Sequence, residues 1–173
     1  GSGDTGILNY AYALEQLEAA FYIKVLTTPY SGITASESAL LADIRDHEIA
    51  HREFFKNALG SNAIQSLEVN FSSIDFTSRA SVLATAKAFE DLGVSAYNGA
   101  GQLLTSAAYL GLAGKIVSVE ARHAALIRDL ITPGSFANDL QSGSLDKSML
   151  PPAVLAIAGN YISTQLNASN LPV

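Results

Sequence analysis

Two Glu-x-x-His motifs, far apart in the chain, are the feature of the sequence best suited to chemistry. Glu48 and His51 form the first, in DHEIAHREFF, and Glu120 and His123 form the second, in VEARHAAL. The chain contains three histidines in all, and the two motifs use two of them. Residues three apart in a helix lie on one face, about one turn from each other. Each motif therefore predicts a carboxylate and an imidazole that point in the same direction.

Each motif is preceded by a segment that carries a glutamate and, two helical turns later, a tyrosine. Glu15 and Tyr22 form the first such pair, and Glu90 and Tyr97 form the second. The chain distance from the glutamate to the following Glu-x-x-His motif is nearly the same in both halves. The second half thus repeats the first, which predicts four helices that present side chains at one level of a bundle.

Four carboxylates and two imidazoles suit a pair of divalent metal ions. Carboxylates bind hard cations and can bridge two of them, while a neutral imidazole adds one nitrogen ligand to each. Without metal, the same carboxylates would be a costly cluster of buried like charges. The sequence therefore predicts a site for two divalent ions, whose ligands are Glu15, Glu48, His51, Glu90, Glu120 and His123.

Two further residues near these motifs leave alternatives open. Glu18 lies one turn after Glu15 on a similar face. The Glu…Tyr spacing favours Glu15 as the ligand, and Glu18 stays a candidate extra ligand or a carboxylate that surrounds the site. His47 points about 100° away from Glu48 and is expected to be exposed or hydrogen-bonded at the edge of the bundle. Four other acids are expected to be solvated charges or helix caps: Asp46, Glu53, Asp91 and Asp129.

The elements that must position these residues follow from apolar residues at helical spacing. The first helix is predicted to start at Asp4 or Thr5, as caps, and to end before Pro29. The second is predicted to start at Ser36 and to stop at Gly60. The third is predicted from about Thr77 to Leu110, the fourth over 113–131, and a short last one after Pro151-Pro152.

The connections between these helices predict the topology. Those after the first and third helices are short, whereas the middle one, SNAIQSLEVNFSSIDF, is long and lacks a helical period. An extended segment of that length can run the full length of a bundle. The pattern predicts an all-α four-helix bundle with one long crossover connection and a short C-terminal fifth helix. Gly93, Gly99 and Gly101 in the third helix are expected to allow close packing or a bend.

Composition limits the function further. The chain has 173 residues, of which 49% are hydrophobic, and this fits a single domain over 1–173. The bundle core is predicted over about 5–132, and a C-terminal loop and helix over 133–173. The absence of cysteine excludes zinc–thiolate and iron–sulfur sites. The net charge of −6, without a basic cluster, argues against nucleic acid as a partner. No apolar run is long enough to predict a membrane span.

The segments LEQLEAAFY, RDHEIAHREFFKNALG, AFEDLGVSAYNGA and IVSVEARHAALIR together resemble the ferritin-like superfamily of dimetal carboxylate proteins, and most of all its desiccation-related subgroup. The resemblance implies that the two metals are iron or manganese, that Glu15 and Glu90 are terminal ligands, and that Glu48 and Glu120 bridge the metals. It implies that His51 and His123 bind one metal each. It also implies that two tyrosines hydrogen-bond to ligand carboxylates, although both would serve equally well as plain core aromatics: Tyr22 and Tyr97.

The resemblance implies three classes of function. The first is an oxidoreductase that reacts with dioxygen or hydrogen peroxide, either as an oxidase or peroxidase or with catalase-like turnover. The second is a non-enzymatic metal-binding or stress-protective protein. The third is iron storage in a multi-subunit shell, for which the sequence shows no cage-forming surface. A homo-oligomer is compatible with each class, and the apolar last helix is expected to cap the bundle or to form an oligomer contact. The opening segment GSGDTG resembles a cloning remnant, which is compatible with a removed signal peptide. An extracytoplasmic location is favoured over a cytoplasmic one.

Overall fold

A computed structural model describes residues 1–138 and 144–172 of the chain. Part of the predicted polar loop after Pro133 lies outside these residues. In the part described, the chain forms four long α-helices and one short one. This confirms the predicted all-α class and the four-plus-one arrangement. The helices are α1 (Gly3–Thr27), α2 (Ala35–Leu59), α3 (Arg79–Gly101), α4 (Ala107–Ile131) and α5 (Pro151–Ala158).

The two ends of α2 illustrate one wrong prediction and one that is confirmed. The helix is capped by Thr34, whose hydroxyl accepts a hydrogen bond of 3.1 Å from the backbone N–H of Glu37, and Ser36 lies inside the first turn. Both hydroxyl residues suit a cap by type, so local sequence does not separate them. At the other end Gly60 closes the helix with a φ of 54°, as predicted, in a region that favours glycine.

The boundary between α3 and α4 differs from the prediction. The third helix ends at Gly101 instead of near Leu110, and α4 starts at Ala107 after the cap Ser106. The break is held by Asp4, whose carboxylate accepts hydrogen bonds of 2.8 and 2.9 Å from the backbone N–H groups of Thr105 and Ser106. The prediction that Asp4 caps α1 is therefore wrong. Asp4 instead fixes a turn about a hundred residues away in the chain. A contact between residues so far apart in the sequence cannot be predicted from a local sequence pattern.

The four long helices pack as two hairpins. Helix α1 packs mainly on α2, and α3 packs mainly on α4. The crossover connection between the hairpins is held by the C-terminal segment: Asn70 N–H donates to the carbonyl of Tyr161, and Ser163 N–H donates to the carbonyl of Glu68, each at 2.8 Å. None of the helices in the described part of the chain has the length and apolar character needed to cross a membrane.

Apolar side chains form two clusters inside the bundle. One includes Phe21, Tyr22 and Phe89, and the other includes Phe55 and Tyr97. The two tyrosines thus belong to different clusters, and both reach toward the same set of buried acids. The polar centre of the bundle is therefore enclosed by well-packed apolar side chains.

The C-terminal segment packs against α3 and α1. Val154 and Ala158 are fully buried, whereas Ile157 is 42% exposed, so α5 covers the bundle with one face. The helix ends at Ala158, where a 3-10 turn over Gly159–Tyr161 follows it. Just before α5, Met149 N–H donates to the carbonyl of Ser95 at 2.9 Å.

Gly99 is what allows this close approach. A Cβ atom at position 99 would lie 1.8 Å from the carbonyl oxygen of Met149, and the expectation that the α3 glycines permit close packing is confirmed here. We expect Gly99→Ala to lower the free energy of unfolding by about 3 kcal/mol, because backbone on both sides must shift. Urea denaturation of the metal-free protein measures this.

A matched control comes from Gly111, inside α4, where a Cβ would meet nothing within 4 Å. Gly111→Ala is expected to raise the free energy of unfolding by up to about 1 kcal/mol, because alanine is the better helix former. Equal effects of the two substitutions would show that contact with the C-terminal segment does not govern position 99.

Candidate metal centre

The bundle brings the six predicted side chains to one place. The four glutamates are each fully buried, His123 is 4% exposed, and the side chain of His51 is 13% exposed. Helices α1 and α3 supply one glutamate each, and α2 and α4 supply one Glu-x-x-His motif each. Because i and i+3 share a helix face, both side chains of each motif turn inward.

The donor atoms fall into two groups that share two residues. Each residue contributes one oxygen or nitrogen, and within a group these atoms all lie within 4.8 Å of one another. Glu48 and Glu120 belong to both groups. The first group is Glu15, Glu48, His51 and Glu120, and the second is Glu48, Glu90, Glu120 and His123.

The two histidines face the carboxylates with the same ring atom. His51 Nδ1 lies 3.0 Å from Glu120 Oε1 and 3.4 Å from Glu15 Oε2. His123 Nδ1 lies 2.8 Å from Glu48 Oε1 and 3.3 Å from Glu90 Oε2. The halves of the chain thus make corresponding contacts, as their sequence repeat requires.

These short distances do not make a closed hydrogen-bond network. The inward atoms of all six residues are buried, and despite their proximity none of them makes a hydrogen bond of acceptable geometry. Buried polar atoms without partners are costly. Carboxylate oxygens and imidazole nitrogens that converge in this way fit divalent cations such as iron or manganese. The unsatisfied atoms are Glu15 Oε2, both oxygens of Glu48 and of Glu120, Glu90 Oε2, His51 Nδ1 and His123 Nδ1.

Two tyrosines hold the outer glutamates, and they do so across the two hairpins. Tyr22 on α1 donates a hydrogen bond to Glu90 Oε1 on α3, and Tyr97 on α3 donates one to Glu15 Oε1 on α1. This crossed pairing requires α1 and α3 to run antiparallel. Each outer glutamate keeps one oxygen on a phenol and turns the other inward.

Comparison with known protein families agrees with this geometry. A family model described as a ferritin-like domain matches residues 3–133, which is most of the chain. The chain belongs to the ferritin-like domain family. The match covers α1 to α4 and all six inward-facing residues. A comparison of the chain with curated proteins gave no match.

Charge in the ferritin-like centre is distributed unevenly. Burial raises the pKa of Glu48 well above its usual value, and the charge of Glu120 adds to this effect. For Glu120 burial also raises the pKa, but the nearby imidazoles of His123 and His51 outweigh it and lower the value to about 2. Burial alone would lower the pKa of the two histidines. Their carboxylate neighbours outweigh burial and raise both values to about 12. Both rings therefore carry a proton on each nitrogen, and a positive charge, at neutral pH when no metal cation is bound.

Glu18 is a fifth buried acid beside the ferritin-like centre. It is 4% exposed, and burial, followed by the charges of Glu48 and Glu120, raises its pKa well above the usual value. Its oxygens belong to neither donor group, whereas Glu15 contributes to the first. Gly93 makes room for it, since a Cβ there would lie 3.1 Å from Glu18 Oε1. Gly93 stands one turn after Glu90, as Glu18 stands one turn after Glu15, so the two halves differ here.

His47 is exposed and hydrogen-bonded at the bundle edge, which confirms the expectation for it. Its partner, which the sequence did not predict, is the inward-facing His123. One feature of the sequence could have indicated a role for His47. The chain has three histidines, and the one outside the two motifs stands directly before Glu48. Three of the remaining acids have exposed carboxylates, as expected: Asp46 pairs with Arg45, Glu53 pairs with Arg52, and Asp129 accepts from the backbone N–H of Gly134. Asp91 differs from the expectation, because it is partly buried and pairs with the buried Arg128.

Proposed function

We propose that the ferritin-like bundle holds two divalent metal ions, iron or manganese, and reacts with dioxygen or hydrogen peroxide. Glu15 and His51 would bind one ion, and Glu90 and His123 the other. The two carboxylates common to both donor groups would bridge the ions: Glu48 and Glu120.

The observation that carries this proposal is the set of inward atoms that lack hydrogen bonds. Two protonated histidines cannot satisfy so many buried oxygens. Two divalent ions would balance the charge of the four carboxylates and give each of these atoms a partner. The sharing of Glu48 and Glu120 between both groups supports two ions rather than one.

The residues around the centre restrict what can react there. Bound iron or manganese would supply redox chemistry toward dioxygen or hydrogen peroxide. The phenols of Tyr22 and Tyr97 hold the outer glutamates in place. Because the four glutamates are fully buried, only small reactants can reach them without rearrangement. A partly open apolar pocket of about 30 Å³ is lined in part by Leu14, Phe55 and Tyr97, the tyrosine that bonds to Glu15, and it suits a small apolar molecule such as dioxygen.

The same burial supports a second function, which is tight metal retention without turnover. A centre closed off by apolar clusters exchanges ions and reactants slowly, and this suits a stress-protective protein. The sequence resemblance to desiccation-related proteins favours the same alternative.

Metal analysis of the protein from its native host, followed by peroxide assays, separates these functions. We expect two ions of iron or manganese per chain. Oxygen released many times per site on addition of peroxide indicates catalase-like turnover. Consumption of peroxide without oxygen release, when no reductant is added, indicates stoichiometric oxidation of the bound metal, as expected of an oxidase or peroxidase. Bound metal that does not react with peroxide supports metal retention. The mass of the protein by size exclusion tests for a storage shell. Protein that binds no divalent metal at any pH near neutral would contradict the proposal.

A further inference from the structure

The ring of His123 is held from both sides. Its Nδ1 faces the carboxylates of Glu48 and Glu90, at 2.8 and 3.3 Å. Its Nε2, on the opposite side of the ring, lies 2.9 Å from Nδ1 of His47 on α2. The two rings are nearly parallel, at 13°, with centroids 5.1 Å apart. His47 thus fixes the orientation of a side chain that comes from a different helix.

This contact also selects the ring nitrogen that binds a cation. A neutral imidazole has one N–H and one lone pair. If Nδ1 of His123 offers its lone pair to a cation, Nε2 carries the hydrogen and donates it to His47 Nδ1. Partners of this kind orient a metal-binding histidine and raise its basicity.

The other half of the repeat lacks this contact. His47 directly precedes Glu48, and the residue that directly precedes Glu120 is Val119, which has no hydrogen-bonding group in its side chain. Within residues 1–138 and 144–172, no hydrogen bond reaches Nε2 of His51. The repeat is therefore broken at one position, and the break affects only one of the two histidines.

We propose that His47 makes the two metal positions unequal. By orienting His123, it makes the position built on Glu90 and His123 bind a divalent cation more tightly than the position built on Glu15 and His51. The inference rests on the proposed function, since it needs two positions. His47 is a positioning residue, because it acts through His123. Loss of such a partner lowers metal affinity roughly ten- to hundredfold.

Calorimetric titration of the metal-free protein with Mn²⁺ tests this. We expect two binding steps of different affinity in the wild type. His47→Ala should weaken the tighter step roughly ten- to hundredfold. His47→Asn should restore much of the affinity, because the Asn side-chain oxygen stands close to where the His Nδ1 stood. Asp46→Ala serves as the control, since Asp46 is adjacent, exposed and paired with Arg45. It should leave both steps unchanged.

Variants that remove one position assign the effect. In a Glu15→Ala background only the His123 position remains, and adding His47→Ala should weaken it. In a Glu90→Ala background only the His51 position remains, and adding His47→Ala should change nothing. The absorption spectrum of Co²⁺ at the single remaining position provides a second readout, which should respond to His47→Ala only in the Glu15→Ala background.

The outcomes separate the two proposals. Two ions bound with equal affinity, or two steps that do not respond to His47→Ala, would overturn the role of His47 and leave the dimetal site standing. Equal weakening in both single-position backgrounds would also overturn it, because it would indicate a general structural effect. Fewer than two ions bound by the wild type would overturn the proposed function together with this inference.

Discussion

Replacing Glu48 with alanine is expected to abolish binding of both metal ions, whereas Glu15→Ala is expected to abolish binding of one. Glu48 contributes to both donor groups, and each of its oxygens faces the centre without a hydrogen bond. Its removal takes a ligand from each position and also takes away a negative charge that both cations share. Metal per chain, measured after equilibrium dialysis against Mn²⁺ or Fe²⁺, should fall from two to near zero.

The control for this substitution lies on the same helix. Glu53 is a half-buried acid that pairs with Arg52 at 2.8 Å and belongs to neither donor group. Glu53→Ala should bind two ions like the wild type. Glu48→Gln preserves the shape of the side chain, and its loss of both ions would show that the carboxylate, not packing, is required. Two ions retained in a folded Glu48→Ala variant would show that Glu48 does not bridge them.

Metal binding is expected to release at least two protons per chain near neutral pH, and the affinity is expected to rise at least about a hundredfold per pH unit. The carboxylates raise the pKa of His51 and His123 to about 12, so both rings are protonated before metal binds. A cation can bind Nδ1 only after the proton leaves. Rising pH removes the competing proton, so affinity increases with pH. Burial raises the pKa of Glu90 to about 7, so a further proton competes below neutral pH.

Calorimetry in buffers of different ionisation enthalpy counts these protons. His51→Ala should release about one proton fewer than the wild type. An affinity that stays constant between pH 6 and 8 would contradict the protonated state of the histidines in the metal-free protein.

The repeat of Glu…Tyr and Glu-x-x-His segments predicted the bundle because helical periodicity is a local property. Equal spacing in two halves sets the level at which side chains meet, so Glu15 and Glu90 could be placed opposite each other without coordinates. Two long helices joined by a short connection pack as a hairpin, because the connection keeps their adjoining ends close together. These constraints lie within one or two helices, where a sequence pattern is informative.

The missed features all depend on contacts between distant segments. Asp4 bonds to a turn after α3 rather than capping its own helix. Met149 rests on Gly99, and nothing near either residue in sequence predicts the other. His47 was placed at the edge of the bundle from its direction on α2, but its bond to His123 depends on how α2 and α4 face each other. Such pairings are decided by tertiary packing.

The crossed phenol–carboxylate bonds make the two hairpins depend on each other. A fragment limited to 1–59 would carry the hydroxyl of Tyr22 and the carboxylate of Glu15 with neither mate present, since both mates stand on α3. Two copies of that fragment, related by a twofold axis, could satisfy one another by the same exchange. The centre therefore requires the meeting of two complementary halves.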